Sequence, residues 1–299
     1  MRVMTEEDVQ TRLTPGLAVQ AARRAVLDSW HGWLSSPARV RAELGTADLV
    51  FTVGGYRDGP VGFRVYGKWP GASDQLVVVW SPGGEIRALV VGSELGIRRT
   101  GALGAVAADA LARADARTVA VIGSGRQAWS QLWALTAVRE IAGVRVFSPD
   151  QLHREAYADR ARRELGLDGT AVDGPRQAVD GADIVVLATR SATAVIQAEW
   201  ISDGSHVATV GPKLLSAHET PPGLADRAGV VVSDSPDQAR AYGERFFTER
   251  TLVHLGAVLD GSAAGRAGPA DVTMYCSTGL AGSEVVIADA LTDAIPGSE

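Results

Sequence analysis

The feature that most restricts the fold of this chain is a glycine turn that directly follows an apolar strand. Residues 118–122 read Thr-Val-Ala-Val-Ile, a pattern typical of a strand buried on both faces of a parallel sheet. A G-x-G-x-x-A sequence follows at 123–128, and residues 129–141 have a helical pattern. A strand, this turn and a helix in succession are typical of a Rossmann-type dinucleotide site, although the glycines could serve only a tight turn.

Each small residue of the turn has a physical task in binding a dinucleotide. Gly123 permits the tight turn, Gly125 lets the backbone approach a pyrophosphate, and Ala128 lets the helix pack close to the strand. The N-terminus of the helix offers unpaired N–H groups to the phosphates. The sequence therefore predicts that the whole turn contacts the cofactor, namely Gly123, Ser124, Gly125, Arg126, Gln127 and Ala128.

The choice between the two nicotinamide dinucleotides depends on the end of the next strand. NAD sites usually have a carboxylate there, which holds the ribose 2′-hydroxyl. The expected position is Ser148, which is neutral, while Asp150 lies just beyond it. Arg126, His153 and Arg154 could meet a 2′-phosphate. This pattern favours NADP(H) over NAD(H), with Ser148 as a further cofactor contact.

The rest of the chain predicts two kinds of α/β structure. Residues 39–95 have short β-rich runs separated by Gly and Pro, which indicate an antiparallel sheet, and Thr5 with Asp8 marks an earlier helix start. From residue 117 onward, strands alternate with helices, which indicates a doubly wound parallel sheet. The predicted segments are strands at 48–53, 76–80, 144–147, 182–188, 206–210 and 229–233, a short β segment from 272, and helices at 100–114, 151–165 and 279–294.

Charge and cysteine content exclude several classes of function. The net charge is -6 and no dense basic block occurs, which argues against nucleic acid or an anionic membrane as a partner. Cys276 is the only cysteine, so an intrachain disulfide and a thiolate metal site are excluded, and no metal is predicted. The acidic N-terminus does not resemble a signal peptide. We therefore expect a cytoplasmic protein.

Five segments, in the right order, resemble the ornithine cyclodeaminase/mu-crystallin family. They are 62–64 with Trp69-Pro70-Gly71, Arg98-Arg99-Thr100-Gly101-Ala102, the turn at 123–128, 181–185 with Ala188-Thr189, and Ser277-Thr278-Gly279-Leu280-Ala281. The resemblance implies a Rossmann-type domain at 101–269, inserted in a smaller α+β substrate-binding and dimerisation domain formed by 1–100 and 270–299. It also implies a homodimer that binds a small α-amino or α-imino acid beside the nicotinamide.

The resemblance extends to individual site residues. Arg99 matches the family arginine that binds the substrate carboxylate, Arg39 matches a second one, and Arg64 stands where most members have a lysine. The alternative for each is a solvated surface charge. Thr278 is a further candidate for substrate contact. The remaining cofactor candidates are Thr189, Val210, Gly211 and Ser277.

One position departs from the pattern of the cyclodeaminases. Lys213 stands where a cyclodeaminase has the aspartate that serves as acid and base. An ammonium group there would repel the ammonium of the substrate, so cyclodeamination is disfavoured. We expect Lys213 and Arg64 to be catalytic, with Lys213 as proton donor; binding of a second substrate carboxylate, or a phosphate or solvent contact, is the alternative for Lys213.

These observations favour an NAD(P)H-dependent reductase of an imine or ketimine carboxylate, or the reverse dehydrogenation of an amino acid. The alternatives are an NAD-containing ornithine or lysine cyclodeaminase and a non-catalytic binding protein of the mu-crystallin type. Among the remaining polar residues, His206 is expected to pack inside a strand. Neither His218 nor Glu219, in a predicted loop, receives a chemical role.

Overall fold

The chain folds into two compact units. A computed structural model describes residues 1–45, 47–69 and 74–295, without the side chain of Lys68. The first unit comprises Met1–Arg99 and Gly279–Glu299, and the second comprises Thr100–Thr278. Pro70 and Gly71 of the family-like segment, and residues 296–299 of the predicted first domain, lie outside the described residues.

The predicted C-terminal domain boundary at residue 270 is wrong by nine residues. The segment 270–278 belongs to the second unit. It contains a strand, Thr273–Cys276, that hydrogen-bonds in parallel between two other strands of that unit. A strand in the middle of a sheet cannot be assigned to another domain, because its backbone groups on both edges are paired there.

The first unit is built on a mainly antiparallel sheet. Its sheet order is β1-β7-β6-β5-β4-β2, with β3 also pairing with β4, and only the β1–β7 pair is parallel among the described pairings. Helices α2 and α10 pack against each other, and α10 also covers β4 to β7. The elements are β1 (Arg2–Met4), α1 (Glu6–Arg12), α2 (Pro15–Trp30), β2 (Leu34–Ser35), β3 (Val40–Glu43), β4 (Asp48–Tyr56), β5 (Val61–Lys68), β6 (Gln75–Trp80), β7 (Ile86–Val91), the start of α3 (Glu94–Leu111), and α10 (Ser283–Ala294).

The second unit has a parallel sheet of the doubly wound type, as predicted. Its strand order is β10-β9-β8-β11-β12-β17-β15-β16, and every described pairing in it is parallel. The first five strands have the 3-2-1-4-5 order that begins the 3-2-1-4-5-6 order of Rossmann folds, with the order reversing between β8 and β11. The sixth place is taken by β17, which comes last in the chain. A separate two-stranded antiparallel ladder joins β13 to β14.

In this unit, strands and α-helices alternate after α3, except from β11 to β14, where no α-helix intervenes. A single 3₁₀ turn also occurs, at Ala198–Trp200. The elements are β8 (Thr118–Ile122), α4 (Arg126–Leu135), β9 (Gly143–Phe147), α5 (Gln151–Leu165), β10 (Asp168–Ala171), α6 (Pro175–Val179), β11 (Ile184–Leu187), β12 (His206–Thr209), β13 (Lys213–Leu214), β14 (Ala217–His218), α7 (Pro222–Arg227), β15 (Val230–Ser233), α8 (Pro236–Arg240), β16 (Val253–His254), α9 (Leu255–Leu259) and β17 (Thr273–Cys276).

Local signals located several elements correctly. Thr5 caps α1 in a capping box with Asp8, and the predicted bounds of β8 and α5 agree with the structure. Helix α10 begins at Ser283 instead of the predicted Gly279. Gly279 and Gly282 have φ of 93° and 81°, a left-handed conformation that a right-handed helix cannot include.

Two other helices differ from their predicted bounds. Helix α3 begins at Glu94, six residues earlier than predicted, and an ion pair between Glu94 and Arg98 spans its first turns. Helix α4 ends at Leu135, six residues earlier than predicted. The hydroxyl of Thr136 donates to the carbonyl of Trp133 there, and such a bond competes with the helical pattern.

No helix within residues 1–45, 47–69 and 74–295 combines the length and the apolar character that crossing a membrane requires.

Candidate functional site

The second unit contains a cavity of about 860 Å³ at the carboxyl ends of four strands. The strands are β8, β9, β11 and β12, so the cavity lies where the strand order reverses, which is the usual ligand position in such sheets. Its lining residues are Ile122, Gly123, Ser124, Gly125, Arg126, Gln127, Phe147, Ser148, Pro149, Asp150, His153, Ala188, Thr189, Arg190, Ser191, Val195, Val210 and Gly211. Nine of the predicted cofactor contacts therefore line one cavity, while Ala128 and Ser277 do not.

The glycine turn has the geometry that a phosphate cradle needs. Gly123 has a φ of 112°, and a Cβ there would overlap the carbonyl oxygen of Ala188. A Cβ on Gly125 would meet no described atom within 4 Å, and Gly125 caps α4 without a side-chain hydrogen bond. Oε1 of Gln127 is buried and has no hydrogen-bond partner among the described residues. A dinucleotide fits this cradle. Its phosphate oxygens can approach the backbone at Gly125, and its ribose hydroxyls can donate to Oε1 of Gln127.

Ala128 packs on the interior side of the glycine turn. Its side chain is fully buried in the apolar cluster between the sheet and its helices, and its carbonyl accepts a hydrogen bond from the Tyr157 hydroxyl. This is the close helix–strand packing that the sequence predicted for this position. Direct contact of Ala128 with the cofactor stays a prediction.

The end of β9 has a hydroxyl where NAD sites usually have a carboxylate. Ser148 Oγ lies 3.0 Å from Ser124 Oγ and donates to the backbone carbonyl of Asp150. Asp150 itself caps α5 by accepting from the N–H of His153. The guanidinium of Arg154 is bound to the carbonyl of Ser148 and to Asp173, which gives it a structural role.

Sequence reasoning missed the most heavily bonded carboxylate beside the cavity. Glu219 follows β14 and is fully buried. One oxygen accepts from the N–H and hydroxyl of Thr189 at 2.7 and 2.8 Å. The other accepts from the Thr209 hydroxyl and from the N–H groups of Val210 and Gly211 at 2.8, 3.1 and 2.6 Å. No local pattern signals this role, because Thr189 lies 30 residues before Glu219 and the donors at Thr209, Val210 and Gly211 lie eight to ten residues before it.

Lys213 is buried next to the same loop. Its side chain is only slightly exposed, at 6%, and Nζ donates to the carbonyl of Gly211. Ser277 donates its N–H to the carbonyl of Thr209 at 3.0 Å, at the end of β17. Ser277 is buried, and its contact with the cofactor stays a prediction.

Thr278 belongs to a buried hydrogen-bond network of the second unit. Its N–H donates to Asp234 at 2.7 Å, and its hydroxyl lies 2.8 Å from the hydroxyl of Ser233 and 2.8 Å from the carbonyl of Ser235. The structure thus gives the side chain partners within the protein. Its predicted contact with the substrate stays a prediction.

The three predicted arginines come together in the first unit. Arg64, on β5, and Arg99, on α3, both pair with Glu284 of α10, at 2.9 and 2.6 Å from its Oε1. A Cβ built on Gly279 would lie 2.7 Å from Nη2 of Arg39 and 3.3 Å from Nη1 of Arg99. Two guanidinium groups therefore flank a backbone that has no side chain.

Glu284 was also missed at the sequence level, although one signal could have found it. It is an isolated charge in the apolar helical run Ser283–Ala288, and a charge in such a position usually has a buried partner. Burial opposes its ionisation, but the charges of Arg99 and Arg64 outweigh burial and keep the pKa of Glu284 below its usual value.

Arg64 has several partners besides Glu284. Its Nε and Nη2 donate to Oε1 of Gln75 at 2.8 and 2.6 Å, and its guanidinium lies over the Tyr66 ring. Burial lowers the pKa of Arg64 from its ordinary value, although a guanidinium stays charged near neutral pH. Arg64 therefore provides a fixed positive charge instead of a proton.

No group of three metal-ligating side chains gathers anywhere in the part of the chain that the structure describes.

Comparison with known proteins agrees with this description. The model of the ornithine cyclodeaminase/mu-crystallin family matches residues 71–299. A protein named as an uncharacterized cyclodeaminase of Sinorhizobium fredii is 35% identical over 73% of this chain and 69% of its own. The Δ¹-pyrroline-2-carboxylate reductase of Bacillus cereus is 33% identical over 69% of this chain and 66% of its own.

A solved structure matches nearly the whole chain. It is the iminosuccinate reductase of Paracoccus denitrificans in complex with NAD⁺, which is 27% identical to this chain, with a TM-score of 0.88. The match covers 98% of this chain and 96% of the reductase.

Proposed function

Because the chain belongs to the ornithine cyclodeaminase/mu-crystallin family, we propose that it reduces an imine or ketimine carboxylate to an amino acid with a nicotinamide dinucleotide, or catalyses the reverse reaction. The observation that carries the proposal is the position of Arg39 and Arg99 around Gly279. Two guanidinium groups gathered around one glycine are suited to a carboxylate, since each can donate parallel hydrogen bonds to its two oxygens.

The charge of the arginine cluster supports the same ligand. Arg64 and Arg99 share the single carboxylate of Glu284, so these two guanidinium groups carry one positive charge more than this carboxylate offsets, which favours an anionic ligand. Glu284 also fixes the orientation of Arg64 and Arg99 before the substrate binds. A clamp that is already oriented loses little conformational entropy on binding, which favours affinity.

The second unit provides the other requirement of the proposed reaction. The residues that would hold the dinucleotide are the turn at 123–128, Ser148, Thr189, Val210 and Gly211. Bound there, a reduced nicotinamide would supply a hydride to the imine carbon. The role of the chain is to bind the pyrophosphate at the start of α4 and to exclude water from the cavity.

Lys213 is proposed as the proton donor. The imine nitrogen must be protonated for reduction, and Lys213 is a buried ammonium group whose Nζ is oriented by the carbonyl of Gly211. The same residue disfavours cyclodeamination, since the resemblance places the aspartate of the cyclodeaminases at this position. A second carboxylate on the substrate is the other group that Lys213 could bind.

NADP(H) is proposed as the preferred cofactor. Ser148 supports it, because a hydroxyl at the end of β9 does not repel a 2′-phosphate. Arg126 and His153 line the same cavity and are suited to that phosphate, while Asp150 already accepts a hydrogen bond in capping α5. The structure of the iminosuccinate reductase of Paracoccus denitrificans contains NAD⁺, so activity with NADH must be measured beside activity with NADPH.

A homodimer is proposed on the basis of the first unit. Trp33, Val53 and Val61 are 65%, 51% and 43% exposed and line one hollow of about 580 Å³. Exposed apolar residues that cluster in this way mark association surfaces. Light scattering coupled to size-exclusion chromatography should give twice the chain mass, and Trp33→Glu should give the monomer.

The test of the function is oxidation of NADPH and, separately, of NADH at 340 nm in the presence of imines. The substrates would be cyclic ketimine carboxylates, iminosuccinate generated in the assay, and 2-oxo acids with ammonia or methylamine. We expect one class to oxidise the cofactor, and Arg99→Ala to raise the KM for that substrate by about a hundredfold, as expected for a lost charge-assisted contact.

The matched control is Arg98→Ala, since Arg98 adjoins Arg99 but pairs with Glu94 and the carbonyl of Leu13. The KM of this variant for the imine substrate should stay close to that of the wild type. Ammonia release from ornithine or lysine without net cofactor oxidation would establish cyclodeamination instead. Tight binding of NAD(P)H without turnover of any substrate would establish the binding-protein alternative.

A further inference from the structure

We propose that Glu219 positions the nicotinamide half of the cofactor site by holding the loops after β11 and β12 together. The inference rests on the proposed function and deepens it, since it names the group that shapes this half of the site. Glu219 does not line the cavity among the described residues, so it would act through its partners and not by touching the cofactor.

The side-chain carboxylate of Glu219 accepts two hydrogen bonds from the loop after β11 and three from the last residue of β12 and the loop after it. Oε2 binds Thr189, the second residue after β11, and Oε1 binds Val210 and Gly211, the first residues after β12. Thr189, Val210 and Gly211 all line the cofactor cavity. A single carboxylate therefore determines the separation of two loops that form one wall of the cavity.

The strand order indicates which half of a dinucleotide this wall receives. In a doubly wound sheet whose order reverses after the first strand, as it does here between β8 and β11, the strands on each side of the reversal bind one mononucleotide each. The glycine turn and Ser148 lie on the β8–β9 side, where the 2′-position of the adenosine ribose is recognised. The β11 and β12 loops lie on the other side, so they correspond to the nicotinamide mononucleotide.

The chemistry of these contacts requires a carboxylate. All five partners of Glu219 are donors, namely three backbone N–H groups and the hydroxyls of Thr189 and Thr209. An ionised carboxylate is an acceptor only, whereas the amide of glutamine would turn a donor toward two or three other donors. A glutamine of the same size should therefore separate the loops.

The loops after β11 and β12 approach each other closely at a position that only a glycine can occupy, Gly211. A Cβ at Gly211 would overlap the carbonyl oxygen of Thr189 and lie 2.5 Å from Oε2 of Glu219. The carbonyl of Gly211 also accepts from Nζ of Lys213. Displacement of Gly211 would thus also move the proposed proton donor.

The experiment compares Glu219→Gln with the wild type in two binding measurements. The fluorescence of the dihydronicotinamide gives the Kd of NADPH and NADH, and calorimetry gives the Kd of 2′,5′-ADP and 5′-AMP, which contain only the adenosine half. We expect the Kd of the better reduced cofactor to rise about tenfold, as for a lost hydrogen bond to a charged group, with the matching adenosine fragment unchanged.

Asp183→Asn is the matched control. Asp183 accepts from the N–H groups of Arg117 and Thr118 and from the Thr118 hydroxyl. It directly precedes β11, so it lies at the amino ends of the strands, opposite the cavity. Loss of these bonds should lower the melting temperature. The ratio between the Kd of the reduced cofactor and the Kd of the adenosine fragment should stay as in the wild type. The selective loss thus separates positioning from general stability.

A second variant keeps the test decisive if Glu219→Gln does not fold. Thr209→Val removes one donor to Glu219, and Thr209 is fully buried and is not among the described residues that line the cavity. We expect a smaller selective loss, about threefold, in reduced-cofactor affinity, with the adenosine fragment again unaffected.

The outcomes separate the inference from the function on which it rests. Wild-type protein that binds neither NADPH nor NADH would overturn both. Wild-type binding with equal loss of cofactor and fragment affinity in Glu219→Gln, or with no loss in either variant, would overturn the positioning role alone. Reduction of no imine, with the selective loss still observed, would overturn the reductase and leave the positioning role standing.

Discussion

Glu284 and Arg99 form a buried ion pair, with Oε1 of Glu284 2.6 Å from Nη2 of Arg99 and side-chain exposures of 1% and 9%. The same oxygen lies 2.9 Å from Nη1 of Arg64. One carboxylate therefore orients two of the three arginines that we propose for substrate binding. Buried charges in such a cluster depend strongly on each other, because little water is present to screen them.

We expect Glu284→Gln to lower the free energy of unfolding by about 3 kcal/mol, because two buried guanidinium groups lose their counter-charge. Urea unfolding at pH 7 measures this change. The matched control is Glu249→Gln, whose partner Arg245 is exposed together with it, and which should leave the unfolding midpoint unchanged. Equal stability of the Glu284 variant and the wild type would show that the pair is not important for folding.

The same pair gives a pH dependence of known sign. The pKa of Glu284 is lowered in the folded state, so its contribution is present above the unfolded pKa, near 4.5, and is lost as the pH falls through the folded value. The stability difference between wild type and Glu284→Gln should therefore shrink in acid.

Ser148→Asp should change the cofactor preference to NADH. A carboxylate at the end of β9 would repel a 2′-phosphate and accept hydrogen bonds from a 2′-hydroxyl. We expect the KM of NADPH to rise at least about tenfold while that of NADH falls or stays constant. Ser148→Ala, which adds no charge, is the control. A preference for NADPH that survives in the aspartate variant would place the 2′-phosphate elsewhere.

Gly123→Ala should abolish tight binding of the cofactor. The residue has a φ of 112°, and its Cβ would overlap the carbonyl oxygen of Ala188, so the turn must change its shape. Gly166→Ala is the matched control, since Gly166 is also left-handed, with a φ of 66°, but has open space around it at the end of α5. Both variants should lose about 1–2 kcal/mol of stability, and only the first should lose affinity for NAD(P)H.

Acid should destabilise the wild type in part through His206. Burial, with the charges of Arg266 and Arg139, lowers the pKa of this histidine to about 3, so it folds in the neutral form, with Nδ1 3.0 Å from the Thr273 hydroxyl. Its folded pKa lies below the unfolded value of 6.5, so its contribution is complete above pH 6.5 and is lost as the pH falls toward 3.

The measurement is the free energy of unfolding from pH 7 to pH 4.5 for wild type and His206→Leu. In this range the wild type should lose up to about 1.4 kcal/mol per pH unit more than the variant, which cannot take up a proton there. Identical slopes for the two proteins would show that His206 is not the group that titrates.

The features that the sequence determined by itself are those whose causes are local. The capping box of Thr5 and Asp8, the apolar strand at 118–122 and the glycine turn after it depend on residues that are neighbours along the chain. Local sterics and hydrogen bonding suffice to specify them. The family-like segments then extended this reading to the arginines, although no local pattern in this chain distinguishes Arg99 from Arg98.

Only the tertiary structure decided which distant groups meet. It brought Arg64 and Arg99 to Glu284, joined Thr189 and Gly211 through Glu219, and placed the strand Thr273–Cys276 in the second sheet and not in the first unit. A buried carboxylate has no periodicity or spacing that reveals its partners, because burial and donors are supplied by other elements. These contacts depend on the packing of the whole sheet, and a linear pattern does not contain that information.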